Sequence, residues 1–322
     1  MSKEKVRILS IDILKLFTIF LVLWGHVIQH FQPDYEKSYI FQTIYAFHMP
    51  LFMMLSGYFA SSSMSLCIRD FFTKKFRQLL LPCLSWAVVC WLIITSGLIE
   101  GRFHLELKGL FTGWLGIVDN FWFLKSCFIC YTLSWLCFRC GRYKVVAMAV
   151  IWMLLVLHNR FFLDRMFPSF LLGLYLRNND WLVNKLNQYR YLVYCFFIVL
   201  LSVSFLTLHP KIYIFRLVLG MSGALACFIL FRSTIGRLQP TPLLKKLARM
   251  GGATLGIYVL QAILLEYLLP RYMSIASLPM PMIVALVPLL SFVMLMITYS
   301  IVQIFNRSDF LSYLMFGRAY KR

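Results

Sequence analysis

Two stretches of otherwise apolar sequence carry the residues that could do chemistry. The first, ILSIDILKLFTIFLVLWGHVIQH over 8–30, holds Asp12, Lys15, His26 and His30; the second, FHMPLFMMLSGYF, holds His48. Ionisable groups in a stretch long enough to cross a bilayer are expensive and by default mark a site. Lys15 and His26 lie about three turns apart at ~3.6 residues per turn, roughly 16 Å along the axis, so they share a helix face. A cation near one membrane face and an imidazole deep in the span suit a tunnel, with something anionic at its mouth and a base within. His48 enters from the opposite side to a similar depth, so the two imidazoles can face one site. Plainer readings stand beside this one. Lys15 could snorkel to the headgroups or pair with Asp12, and either histidine could be a packed core residue. His30, at the helix end, reads as interfacial. Pro50 interrupts the hydrogen-bond ladder and kinks its helix, while Ser56 and Gly57 permit close helix packing.

A third stretch, DFFTKKFRQLLLP, brings Lys74, Lys75 and Arg77 together at the inner end of a span. Such a cluster suits a polyphosphate, with Arg bidentate and Lys a point charge. Topology and anionic lipid account for it equally well. Weaker candidates lie toward the other face. Trp122 in FWFLK reads first as an aromatic anchor. Arg216, Tyr258, Gln261 and Glu266 lie near the outer ends of their helices, where they could line a cavity for an anionic or hydroxyl-rich acceptor.

These residues need elements to hold them. The chain has 322 residues, of which 61% are hydrophobic and only 14% charged, against about a quarter charged in a soluble domain. The pattern predicts an all-α, polytopic membrane protein forming a single membrane-embedded domain over 1–322, with no appended soluble domain. Apolar runs predict ten spans, at 8–30, 38–60, 79–99, 121–138, 145–158, 161–176, 191–208, 212–231, 253–269 and 282–305. The fifth and sixth are short enough to form a tilted hairpin instead. The net charge of +20 does not indicate nucleic acid, because the basic residues fall on alternate loops. Of 32 Lys and Arg, 22 lie on one set of loops and 7 on the other, predicting that both termini are cytoplasmic. The first span is too long for a signal-peptide core and is expected to be retained. The outer loop 100–120 carries aromatics and glycines that suit an interfacial or re-entrant segment. Cys127, Cys130, Cys137 and Cys140 spell CxxC twice, but on one helix the pairs stand about 15 Å apart, too far to share a metal.

Taken in order, IDILKLFTIFLVLWGH, FHMPLFMMLSGYF, KKFRQLLLP, FWFL, PSFLLGLYL and TLGIYVLQ resemble integral-membrane acyltransferase family three, which includes O-acetyltransferases of bacterial surface polysaccharides. The FHMP…SGY form looks most like the branch of fucose-acetylase and intercellular-adhesin-type proteins. The resemblance covers nearly the whole chain. It implies transfer of an acyl group, by default acetyl, from cytoplasmic acyl-CoA across a bacterial plasma membrane. The acceptor is a hydroxyl of a surface polysaccharide or its lipid-linked precursor. The partners are therefore membrane lipid, acyl-CoA (acetyl-CoA) and a glycan, with no permanently bound cofactor, no metal and no nucleic acid. In this reading His26 is the general base, and His48 orients it or stabilises the oxyanion. Lys15, Lys74, Lys75 and Arg77 hold the donor. Lys15 stands where the family has Arg, and Gln261 where many members have His, so no proton-transfer role passes to Gln261. Two rivals share the architecture: a transporter of glycan or its precursor, and an assembly subunit without catalysis.

Overall fold

A computed structural model of the chain describes residues 9–32, 34–96, 118, 120–158, 162–207, 212–268 and 280–318. Their regular structure is entirely helical. In order, the helices are α1 Leu9–Phe31, α2 Tyr39–Tyr58, α3 Ile68–Lys75, α4 Leu81–Thr95, α5 Trp122–Arg139, α6 Lys144–His158 and α7 Leu163–Arg177. They continue with α8 Asp180–Gln188, α9 Arg190–Leu206, α10 Tyr213–Thr234, α11 Pro242–Gly251, α12 Thr254–Ala262, α13 Met280–Phe305 and α14 Asp309–Phe316. A π-helical stretch, Phe76–Leu80, joins α3 to α4, and a second, Ile263–Leu268, extends α12. The expected re-entrant segment at 100–120 lies almost wholly outside the described residues.

Five helical runs are long and apolar enough to cross a membrane, and seven if two bent pairs each count as one span. The bends lie between α8 and α9, at 75°, and between α11 and α12, at 54°. The ten predicted spans therefore reduce to a smaller set on length and composition. The predicted spans 38–60, 121–138 and 161–176 are helices, but they are not in that set. Helix α7 is too short, at 15 residues, and burial accounts for the lower hydropathy of α2 and α5. Helices α6 and α9 fully bury no side chain but Ser204, so most of their surface must be apolar. Helices α2, α5 and α7 are packed inside the bundle and can carry polar groups such as His48, Lys125 and Arg165. Three further helices, α8, α11 and α14, lie between or after the predicted spans. They are short helices, and α11 begins with Thr241 capping the Leu244 amide at 3.3 Å and Pro242 in its first turn.

Helix α2 is the centre of the assembly, with α1, α7 and α10 packed against it. The α2–α7 contact is the closest. A Cβ on Gly57 would run into the backbone carbonyl of Phe170, and one on Gly173 into that of Met54. Two glycines facing each other's helix thus let the backbones touch. This is how helices associate where lipid is as apolar as the side chains and burial of apolar surface supplies no drive. Ser56, next to Gly57, donates its hydroxyl to the Phe52 carbonyl at 3.0 Å. The interior fills with three apolar clusters, and Phe52, Leu79 and Tyr258 pack where two of them meet.

Candidate active site

Two cavities hold most of the candidate residues, and they are called outer and inner after the sides that the loop charges predict for them. The outer one, about 390 Å³, is lined from α2 by Gln42, Tyr45, His48 and Pro50, and from other elements by Trp122, Arg165, Ser204 and Arg216. His48 is 3% exposed, and its Nδ1 lies 2.7 Å from the Ile44 carbonyl oxygen. A carbonyl can only accept, so the neutral ring carries its proton on Nδ1 and keeps the Nε2 lone pair free for a base. His26 is half-buried on α1. Tyr45 stands between the two imidazoles, edge-on to both, with its ring centroid 4.7 Å from that of His48 and 6.5 Å from that of His26. The Tyr45 ring stacks on Phe41 at 3.9 Å, and its hydroxyl donates to Gln29 Oε1 at 3.1 Å. It comes this close to α1 because Gly25 leaves the space: a Cβ there would lie 2.7 Å from the Tyr45 ring.

Two further side chains equip this cavity. Gln42 donates through Nε2 to the Glu36 carbonyl at 2.6 Å, while its buried Oε1 has no partner among the described residues. Arg165 lies in the first turn of α7 with Nε 3.6 Å from the Asp164 carboxylate.

The inner cavity, about 530 Å³, is lined by Lys74, Arg77 and Gln78 from the α3–α4 helix, by Gly252 and Gly256 around the start of α12, and by Gly317 and Arg318 after α14. The buried Arg77 Nε has no partner among the described residues. A basic wall beside a helix N-terminus is suited to phosphate. A third cavity, also about 530 Å³, lies nearby and is lined in part by Ser10, Gly236, Lys245 and Arg249.

The sequence candidates divide accordingly. His48, Trp122 and Arg216 come together at the outer cavity, with His26 adjoining through Tyr45. Lys74 and Arg77 share the inner one. Lys75 turns the other way, into the bundle. It is 3% exposed, with Nζ 3.5 Å from the centre of the Tyr131 ring and 3.4 Å from Gln78 Oε1. A cation over an aromatic face is worth about 2 kcal/mol or more when desolvated, which offsets part of its burial. Lys15 bonds Asp12 Oδ1 at 2.9 Å and rests 4.0 Å over the Phe59 ring, so the helical ion pair forms. Tyr258 and Gln261 are not among the residues that line the outer cavity. Tyr258 meets Phe123 at 5.6 Å, and Gln261 is 1% exposed with Oε1 unpartnered among the described residues. Gln261 is a buried residue of α12, which packs on α1 and α13, whereas Tyr258 is half-buried and faces α5. The side chain of Glu266 lies outside the described residues.

Sequence reasoning missed Tyr45, Gln42, Arg165 and Arg318. Tyr45 had a signal, since it lies three residues before His48 on the same helix face. Arg165, at the start of the span predicted at 161–176, and Arg318, beyond the last span, had none, because basic residues are expected at span ends.

Residues 8–303 match the family described as acyltransferase domain, the third acyltransferase family. Two curated relatives are both called nodulation protein NolL. The one from Mesorhizobium japonicum is 29% identical over 213 residues, covering 62% of this chain and 54% of the relative. The one from Sinorhizobium fredii is 34% identical over 138 residues, covering 40% of this chain and 36% of the relative. The chain thus spans about half or less of the length of these relatives. No solved structure matches. With the family match running through α1 and nearly to the end of α13, which covers every residue of the outer cavity and most of the inner one, the chain belongs to acyltransferase family three.

Proposed function

We propose that the protein is a membrane-embedded O-acyltransferase. It takes an acyl group, by default acetyl, from cytoplasmic acyl-CoA and places it on a hydroxyl of a surface polysaccharide or of its lipid-linked precursor. The observation that carries this reading is His48: a buried imidazole whose Nδ1 proton is committed to the Ile44 carbonyl, in the wall of a cavity at the outer end of the bundle. The basic cavity at the opposite end supports an acyl-CoA donor, since Lys74, Arg77 and Arg318 are cations of the kind that hold phosphates. The biased loop charges support cytoplasmic termini. Counting α2, α5 and α7 as passes beside the seven apolar ones restores ten crossings of a bacterial plasma membrane.

In this mechanism the acceptor hydroxyl gives its proton to His48 Nε2 as its oxygen attacks the thioester carbonyl carbon. The C–S bond then breaks, and the CoA sulfur leaves with the proton that the imidazolium returns. General base catalysis of this kind is typically worth 10²–10⁴-fold. His48 takes the role first expected of His26, because it lines the cavity with the correct nitrogen free. His26, across Tyr45, is then the second imidazole, able to share the proton. Between the cavities, Phe52, Phe123 and Tyr258 form an aromatic chain with centroids 5.7 and 5.6 Å apart, and the thioester arm must pass these rings.

The test is the alkali-labile ester content of surface glycan in cells expressing wild-type protein, His48→Asn, His26→Ala or no protein. Asn can keep a donor toward the Ile44 carbonyl but offers no base. Glycan present in all four strains, with ester lost in His48→Asn and in the null, is the expected result. Ester at the wild-type level in His48→Asn would remove His48 from the chemistry. Loss of the glycan itself in the null would favour transport instead.

A further inference from the structure

We infer that the third cavity is a phosphate site, separate from the acceptor and donor cavities: Lys245 and Arg249 hold one phosphate group between them, and the Ser10 hydroxyl donates to it. The cavity, about 530 Å³, lies between the Leu9–Ser10 end of α1, the turn Ile235–Arg237 that follows α10, and α11. Lys245 and Arg249 stand one turn apart on α11, so both cations project from one face. Neither side chain has a hydrogen-bond or ion-pair partner among the described residues, and no Asp or Glu among them lines the cavity. Like charges at this spacing repel, and an anion between them turns the repulsion into attraction. The floor is equipped as well. Ser10 is 3% exposed, and its hydroxyl has no hydrogen-bond partner among the described residues. A buried hydroxyl left unpaired is costly, and a phosphate oxygen satisfies it. Its place is fixed because α11 lies backbone against backbone on α1: a Cβ on Gly251 would run into the Asp12 carbonyl, two residues from Ser10. Arg supplies a planar fork and Lys a point charge, a pair that suits the several oxygens of a phosphate. The bias of basic residues toward inner loops accounts for cations in this region generally. It does not account for two of them sharing a cavity with a buried hydroxyl, since Arg237 and Lys246 serve that bias equally and do not line it.

The phosphate has two sources, the headgroup of an anionic phospholipid or a soluble phosphate ester. The surroundings favour lipid: Leu238 in the wall and Leu243 on α11 are exposed beside the cations, as in a helix lying at a membrane surface with apolar side chains in the acyl boundary. Full-length protein in nonionic detergent is titrated with phosphatidylglycerol, with phosphatidylcholine as a lipid of no net charge, and with glycerol phosphate as the soluble ester. Native mass spectrometry reads the lipids and isothermal titration the ester. Phosphatidylglycerol should bind about tenfold tighter than phosphatidylcholine, and the double variant Lys245→Gln/Arg249→Gln should lose that preference. Ser10→Ala, which leaves every charge in place, should weaken the binding about threefold. Lys246→Gln/Arg237→Gln, which removes the same charge outside the cavity, should keep the preference. Binding of glycerol phosphate that the cavity variant abolishes, with no preference between the lipids, assigns the phosphate site to a soluble ester. The inference is overturned if neither phosphatidylglycerol nor glycerol phosphate binds more tightly than phosphatidylcholine, or if the cavity variant, eluting as wild type does, binds as wild type. Equal loss in Lys246→Gln/Arg237→Gln also overturns it, by reducing the effect to general surface charge. So does displacement of the lipid by acetyl-CoA, which would make the cavity part of the donor site.

Discussion

Replacing Gly173 with alanine tests whether the α2–α7 contact positions His48. The new Cβ would fall well inside the 3.0 Å floor for real Cβ contacts, against the Met54 carbonyl oxygen, and a backbone atom on a packed helix cannot swing aside. The two helices must part by roughly an ångström, and overpacking of that kind typically costs about 1–3 kcal/mol. Met54 lies less than two turns beyond His48 on α2, and α7 also carries Arg165, so parting the helices shifts the base relative to the acceptor wall. Misplacement on the order of 1 Å can lower a rate by about 10². Gly173→Ala should therefore melt below wild type in detergent and transfer acetyl about 10- to 100-fold more slowly. Gly57→Ala, whose Cβ meets the Phe170 carbonyl, should behave alike. The double variant should be clearly less damaged than the sum of the two, because once the helices have parted the second methyl finds space. Gly236→Ala is the control, since its methyl would approach only Ser10, at 3.8 Å. Melting and transfer at wild-type values in both Gly57→Ala and Gly173→Ala would show that these helices do not touch as described and that α7 does not position the site.

Arg77→Gln, which removes from the inner cavity the guanidinium whose Nε has no partner among the described residues, should raise KM for acetyl-CoA about tenfold with kcat little changed; steady-state kinetics check the split. Lys75→Met should melt at or above the wild-type temperature, because it replaces a buried cation with an apolar side chain of similar length. Tyr131→Leu should instead destabilise by about 2 kcal/mol, leaving Lys75 buried without its ring. Gly25→Ala should displace the Tyr45 ring by a few tenths of an ångström to about 1 Å, lowering kcat while leaving acetyl-CoA affinity unchanged, as paired transfer and binding measurements would reveal.

Much of the site was legible because polar residues stand out against an apolar background. His26, His48, Lys74, Arg77, Trp122 and Arg216 are conspicuous one at a time, and the alternation of basic loops assigns each to an end of the bundle. Hydropathy also located every predicted span on a helix, including the three whose polar residues carry the site. What the chain could not disclose is which faces meet. In a soluble helix the apolar stripe points to the core, but in a membrane the lipid-facing side is apolar too, so periodicity loses its direction. That is why Gln261, which reads as a cavity residue, is buried, and why Lys75 points into the bundle while Lys74 lines the inner cavity. Tyr45 gains its place only because Gly25, on another helix, leaves a gap. The sequence alone therefore determined the helical membrane class and the family. Tertiary structure decided the partnerships, because contacts between glycine-bearing helix faces, rather than burial of apolar surface, set which side chains share a cavity.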